Sequence, residues 1–138
     1  MRESLLGSRQ PVGPGLVYML YNVKNMKRPD PASALGEFEQ LVLIALFRLG
    51  PQAYGAVIRR DIEARTGRDL SISAVYVTLE RLEDKGFVRS HIGEPTPQRG
   101  GRRKKHYVLL PAGRRALGQA YRMFKVMTDG LERQFDAL

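Results

Sequence analysis

Two clusters of side chains in this chain have types and spacing suited to chemistry, and both suit the recognition of a polyanion better than a reaction. The first lies between positions 71 and 81 and comprises Ser71, Ser73, Ala74, Tyr76, Val77, Thr78 and Arg81. Small and hydroxyl-bearing residues let a helix come close to base edges, while hydroxyls and an Arg can hydrogen-bond bases or phosphates in a major groove. Tyr76 is placed to support the core with its ring and to reach a phosphate with its hydroxyl. The second cluster is Arg99, Arg102, Arg103, Lys104 and Lys105, five cations in seven residues with no acid among them. Such a run repels itself in solution, and an anionic partner is the simplest reason to keep it together. Taken singly, each has a plainer reading, an amphipathic helix with a solvated face and a solvated basic loop. Side by side they reinforce each other.

Catalysis finds no comparable constellation. His91 and His106 are 15 residues apart with no clustered carboxylate, and no phosphate loop or dinucleotide fingerprint is present. The chain has no cysteine, which excludes disulfides, thiol nucleophiles and cysteine metal sites. No enzyme activity, cofactor or metal is expected. A formal net charge of +9 over 138 residues favours nucleic acid as partner first and an anionic membrane second. No apolar run approaches the roughly 18 residues needed to span a bilayer. The eight-residue stretch at 16–23 lacks a cleavage site after it, so no signal peptide is expected. A cytoplasmic protein without a membrane partner follows.

The elements that must position the two clusters can be read from periodicity. Residues 1–34 are punctuated by Pro11, Gly13, Pro14, Gly15, Pro29 and Pro31 and hold no sustained period, which predicts a disordered or loosely ordered extension. From Leu35 the stripe Phe38, Leu41, Val42, Ala45, Leu46, Leu49 predicts a helix stopped by Gly50-Pro51. A second helix over 54–66 turns Tyr54, Val57, Ile58 and Ile62 inward and Arg59, Arg60 and Arg65 outward. After a short link, a third runs over 71–86, N-capped by Ser71 and closed at Gly86, with Ile72, Val75, Tyr76, Leu79 and Leu82 on its apolar face. The period then shortens to that of a strand at 87–92. A turn-rich stretch follows, and 106–110 returns as a second strand, so the five cations fall at the tip of a hairpin.

Pro111 opens a last helix at its first position. Leu117, Tyr121, Phe124, Leu131, Phe135 and Leu138 follow a four-three heptad spacing interrupted at Thr128, the pattern of a helix that packs along another helix. Docking onto the chain's own first helix and dimerisation both satisfy it, and dimerisation suits its length and aromatic character better. The expected class is therefore mostly α with a small β-hairpin (α+β). It divides into the extension at 1–34, a winged helix-turn-helix domain at 35–110 and a dimerisation helix at 111–138.

The run from Ser71 to Val88 closely resembles the recognition-helix segment of PadR-type transcriptional regulators, and Gly101-Arg102-Arg103-Lys104-Lys105-His106-Tyr107-Val108-Leu109 resembles their wing. Pro111-Ala112-Gly113-Arg114-Arg115-Ala116-Leu117 is similar to the opening of their final helix, and Tyr54-Gly55 also fits. The resemblance implies a homodimer joined through the terminal helix that binds double-stranded DNA at a pseudo-palindromic operator and represses transcription. It also implies that a small-molecule effector, of unspecified identity, could relieve repression. Leu110 stands where these proteins usually carry a capping Thr, and the absence of Trp removes the aromatic ligand sandwich of some relatives. The competing expectation is a basic module that binds nucleic acid without regard to sequence, in an architectural or RNA-binding role. RNA recognition usually needs exposed aromatics on a sheet, whereas Tyr76, Tyr107 and Tyr121 fall at core or seam positions.

Overall fold

The computed structural model describes residues 34–93 and 104–138. Helices α1 (Glu37–Leu49), α2 (Gly55–Thr66) and α3 (Ile72–Asp84) come first, with a 3-10 turn, Gly50–Gln52, between α1 and α2. Strands β1 (Val88–Ile92) and β2 (Lys105–Leu109) follow, then α4 (Pro111–Thr128) and a short α5 (Glu132–Asp136). This mostly helical chain with one antiparallel hairpin is the winged helix-turn-helix expected from the periodicities. The hairpin register pairs Val88 with Leu109, Ser90 with Tyr107 and His91 with His106.

The three helices bury the apolar stripes that built them. Val42, Leu43 and Leu46 from α1, Ile58 and Ile62 from α2, and Val75, Leu79 and Leu82 from α3 close over Ala53, Phe87, Val88 and Tyr107. Burial of each such Leu, Ile or Val contributes about 1.5–3 kcal/mol relative to exposure. The hairpin joins this core through Tyr107, which is 1 % exposed and whose N–H donates to the Ala53 carbonyl at 2.9 Å. A single bridge between Tyr54 and His106 extends that contact, so the segment entering α2 serves as a rudimentary third strand of the wing.

Charged side chains bridge neighbouring elements. Asp61 on α2 receives Arg48 from α1 at 2.9 Å and Arg65 from its own helix at 3.0 Å. Burial would raise its pKa, but the two guanidinium hydrogen bonds outweigh it and hold the carboxyl below its ordinary value. Glu63 accepts from the Leu70 backbone N–H at 3.1 Å and sets the turn between α2 and α3. Lys85, just past α3, reaches both Glu39 and the Ala34 carbonyl, tying that helix end to the start of α1.

The last helix departs from expectation in two ways. Its first turns belong to the domain, which runs past 110 to Ala120. Ala112, Ala116 and Leu117 pack against the core, and Gly113 lies so close to β1's entry that a Cβ there would sit 2.3 Å from the Phe87 carbonyl oxygen. Leu117 is thus a core contact of its own domain. The helix is also not continuous to 138. The Thr128 hydroxyl turns back to the Phe124 carbonyl at 2.8 Å, and Gly130 adopts φ +81°, a left-handed conformation that suits glycine. Within the unit that holds Tyr121–Leu138, the heptad pattern therefore divides between two helices. Tyr121, Phe124, Leu131, Phe135 and Leu138 are all exposed there, Phe124 by 67 %.

Candidate nucleic-acid interface

Helix α3 presents its N-terminal half outward. The Ser71 hydroxyl accepts from the Ala74 N–H at 3.1 Å, satisfying one of the free amides of the first turn. Ser71, Ser73, Ala74 and Val77 are exposed, and Ser73 and Val77, one turn apart, share a face opposite the buried Val75, Leu79 and Leu82. The surface is small, weakly polar and close to the backbone, as entry into a groove requires. Tyr76 is 37 % exposed, and its ring lies over Gly55 at the start of α2, where a Cβ would sit 2.5 Å from its Cζ.

Two residues of the expected cluster, Thr78 and Arg81, stand apart from this exposed face. Thr78 is 5 % exposed, and its hydroxyl donates to the Ala74 carbonyl at 2.9 Å. It is a largely buried residue that lines the groove beside Arg81 and offers little surface to a partner. Arg81 is exposed but flanks an open groove of about 660 Å³ that it shares with Gly36, Phe38, Glu39, Asp84 and Lys85. Burial opposes ionisation of Glu39, yet hydrogen bonds from the Gly36 N–H and Lys85, with the charges of Lys85 and Arg81, leave its pKa lowered. Part of the Arg81 field is therefore directed at a carboxylate.

The wing is held to α3 by Glu83. Its Oε2 accepts from both the N–H and the hydroxyl of Ser90 on β1, each at 2.8 Å. Those bonds hold the Glu83 pKa below its usual range. Of the five wing cations, Arg99, Arg102 and Arg103 fall outside the described residues. Lys104 and Lys105 are exposed at the start of β2. The Lys104 ammonium donates to the Tyr54 hydroxyl at 3.1 Å and lies 4.3 Å from the centre of its ring. Lys105 lies 5.8 Å from the ring centre of Tyr107.

Sequence reasoning passed over two features of this surface. Arg60 is exposed on α2, and among the described residues it has no carboxylate partner, whereas its neighbours Arg59 and Arg65 pair with Glu63 and Asp61. Arg89 is exposed on β1. The i,i+4 acids that neutralise Arg59 and Arg65 were a readable signal that Arg60 differs from them. Among the described residues no helix is long and apolar enough to cross a membrane, and no group of three or more metal-ligating side chains is present.

Comparison with known proteins gives this surface a context. The profile of the transcriptional regulator PadR-like family matches residues 43–119, over half of the chain. A search of curated proteins returned no match. Among solved structures, a PadR family transcription regulator from hypervirulent Clostridium difficile is 25 % identical with a TM-score of 0.54, covering 70 % of this chain and 98 % of that one. A PadR family regulator from Eggerthella lenta is 24 % identical with a TM-score of 0.52 over 74 % and 88 % of the two chains. A PadR-like regulator from Bacillus cereus is 14 % identical with a TM-score of 0.57 over 71 % and 90 %.

Proposed function

The chain belongs to the PadR-like family of transcriptional regulators, and from that premise we propose that it is a repressor that binds a pseudo-palindromic operator as a homodimer. The observation that carries the reading is the pairing of an exposed, small-residue N-terminal half of α3 with a wing whose returning strand begins at Lys105, directly after the exposed Lys104. In this reading Ser71, Ser73, Ala74 and Val77 approach the bases, and Tyr76 and Arg81 reach the backbone from either side. Arg99, Arg102, Arg103, Lys104 and Lys105 hold phosphates along the wing.

Dimerisation rests on the apolar residues of the C-terminal unit. Tyr121, Phe124, Met127 and Phe135 are each at least half exposed, a concentration of aromatic and thioether surface that favours a second copy. Two-fold pairing makes half-sites about one helical turn, roughly 10 base pairs, apart. A small-molecule effector that shifts this equilibrium is consistent with the same reading.

The test is selection of bound fragments from the source organism's sheared DNA near physiological salt, followed by sequencing. Enrichment of one pseudo-palindrome near a few promoters supports the specific regulator. Uniform recovery of all fragments would instead favour sequence-blind binding. Phe124→Asp with Phe135→Asp should convert the protein to monomers in sedimentation experiments; a double variant that stays dimeric refutes the seam.

A further inference from the structure

Three groups able to bind an oxyanion converge where the wing meets α2, and the functional reading above assigns only one of them. Tyr54 precedes α2 and bridges to His106 in β2, so its side chain stands at the joint between helix and wing. Its hydroxyl oxygen accepts from Lys104 at 3.1 Å, and the charge of Arg60, exposed further along α2, acts on the same phenol. The hydrogen bond from Lys104, opposed by burial and reinforced by the charges of Lys104 and Arg60, holds the phenol below its ordinary value near 10.

The donors outnumber the acceptors. An ammonium has three N–H groups and a guanidinium five, and a phenol that accepts from a cation still has its own O–H to donate. Arg60 directs its Nε at the Ala56 carbonyl, a long contact of 3.4 Å, and Lys104 directs one N–H at Tyr54. Among the described residues neither cation has a carboxylate partner. A tetrahedral oxyanion with several lone pairs satisfies such a cluster, and one bound across the joint would touch helix and wing at once.

We propose that Tyr54, Arg60 and Lys104 form a single phosphate-binding site that grips one phosphodiester group of duplex DNA and locks the wing to α2. The assignment rests on the DNA-binding reading and adds to it Arg60 as a direct contact and Tyr54 as the residue that positions Lys104. By accepting from the ammonium and offering its ring face beneath it, Tyr54 restricts a long side chain that would otherwise lose more rotamer freedom on binding.

The experiment is a double-mutant cycle on the full chain, with a 30-base-pair duplex of arbitrary sequence because phosphate contacts do not depend on sequence. Dissociation constants would be measured by fluorescence anisotropy between 50 and 200 mM NaCl, with thermal melting as a check on folding. Lys104→Met and Arg60→Met should each weaken binding. Together they should flatten the log–log salt slope by about 0.9, the value for one phosphate, and not by twice that. Tyr54→Phe should weaken binding between about two- and tenfold, the range for one hydrogen bond, with the slope unchanged. It should have no further effect once both cations are gone.

A slope change of about 1.8 would mean two separate phosphates and overturn the shared site. So would a Tyr54→Phe variant that binds as wild type, or one whose loss persists in the absence of both cations. Variants that bind duplex normally but lose a rise in melting temperature given to wild type by millimolar inorganic phosphate would assign the site to free phosphate instead. A wild-type protein that does not bind the duplex at all would defeat the DNA reading itself.

Discussion

Replacing Thr78 by Val separates what the structure says about α3 from what its sequence suggests. Thr78 is 5 % exposed, and its hydroxyl donates to the Ala74 carbonyl at 2.9 Å. That carbonyl is also positioned to accept the Thr78 backbone N–H in the helix ladder, so removing the hydroxyl strands no buried acceptor. A methyl in its place adds apolar contact where Leu79 and Leu82 already pack, and relieves a back-bond of the kind that bends helices. The net effect on stability should stay within about 1 kcal/mol of zero, the net worth of one hydrogen bond. That corresponds to a melting shift of no more than about 8 °C for a domain of this size. DNA affinity, read by anisotropy on the same duplex, should change less than about twofold, since the lost group is bonded within the helix and little of the residue is exposed. Ser73→Asp provides the contrast. Its carboxylate would favour the helix N-terminus by about 0.3–1 kcal/mol yet repel phosphates on the exposed face. It should melt no lower than wild type while losing at least about tenfold in affinity, the effect of about 1.4 kcal/mol. A Thr78→Val protein that is folded but binds tenfold more weakly would refute the reasoning, because the hydroxyl would then have to reach DNA.

Three further expectations concern the scaffold. Ser71→Ala removes the hydroxyl that accepts from the Ala74 N–H and should destabilise the domain by about 1 kcal/mol, readable as a fall in melting temperature. Gly113→Ala offers better helix propensity but forces a Cβ to 2.3 Å from the Phe87 carbonyl oxygen, a backbone atom that cannot rotate aside. The clash should outweigh the roughly 1 kcal/mol of propensity gained, and a variant that melts higher than wild type would contradict the packing. Glu83, lowered by its bonds to Ser90, contributes stability that is present above its unfolded value of 4.5 and lost as pH falls through the folded value below it. Melting temperatures recorded from pH 6 downward should therefore fall less steeply below pH 4.5 in Glu83→Gln than in wild type.

How much of this was legible in the sequence depended on how local each cause was. The caps and stops were legible because Ser71, Gly50-Pro51 and Pro111 act within one turn. The hairpin was legible because its strands alternate around Tyr107. Thr78 was not, because its exposure depends on how far the neighbouring helices wrap around α3, and a single-helix pattern leaves that arc's edge undefined. The split of the last helix was signalled by Gly130, but the heptad spacing of its neighbours concealed it. Pairings such as Arg68 with Glu37 and Lys85 with Glu39 span 31 and 46 residues, so no local charge pattern reveals that these cations are engaged.

Those distant pairings bear on how the surface works. The net charge of +9 describes the field that draws DNA in, but the cations left to meet phosphates are those without a carboxylate of their own. On α2 this selection leaves Arg60, since Arg59 and Arg65 are engaged by Glu63 and Asp61. At the far end of α3, Glu83 and Lys85 face neighbouring elements, one holding β1 through Ser90 and the other holding the start of α1 through Glu39 and Ala34. The outward half of the helix carries small residues that could make few contacts able to orient it. Its pose is therefore set by the buried Val75, Leu79 and Leu82 and by the tethers at its C-terminal end, and changes at Glu83 or Lys85 should alter DNA binding without either residue touching DNA.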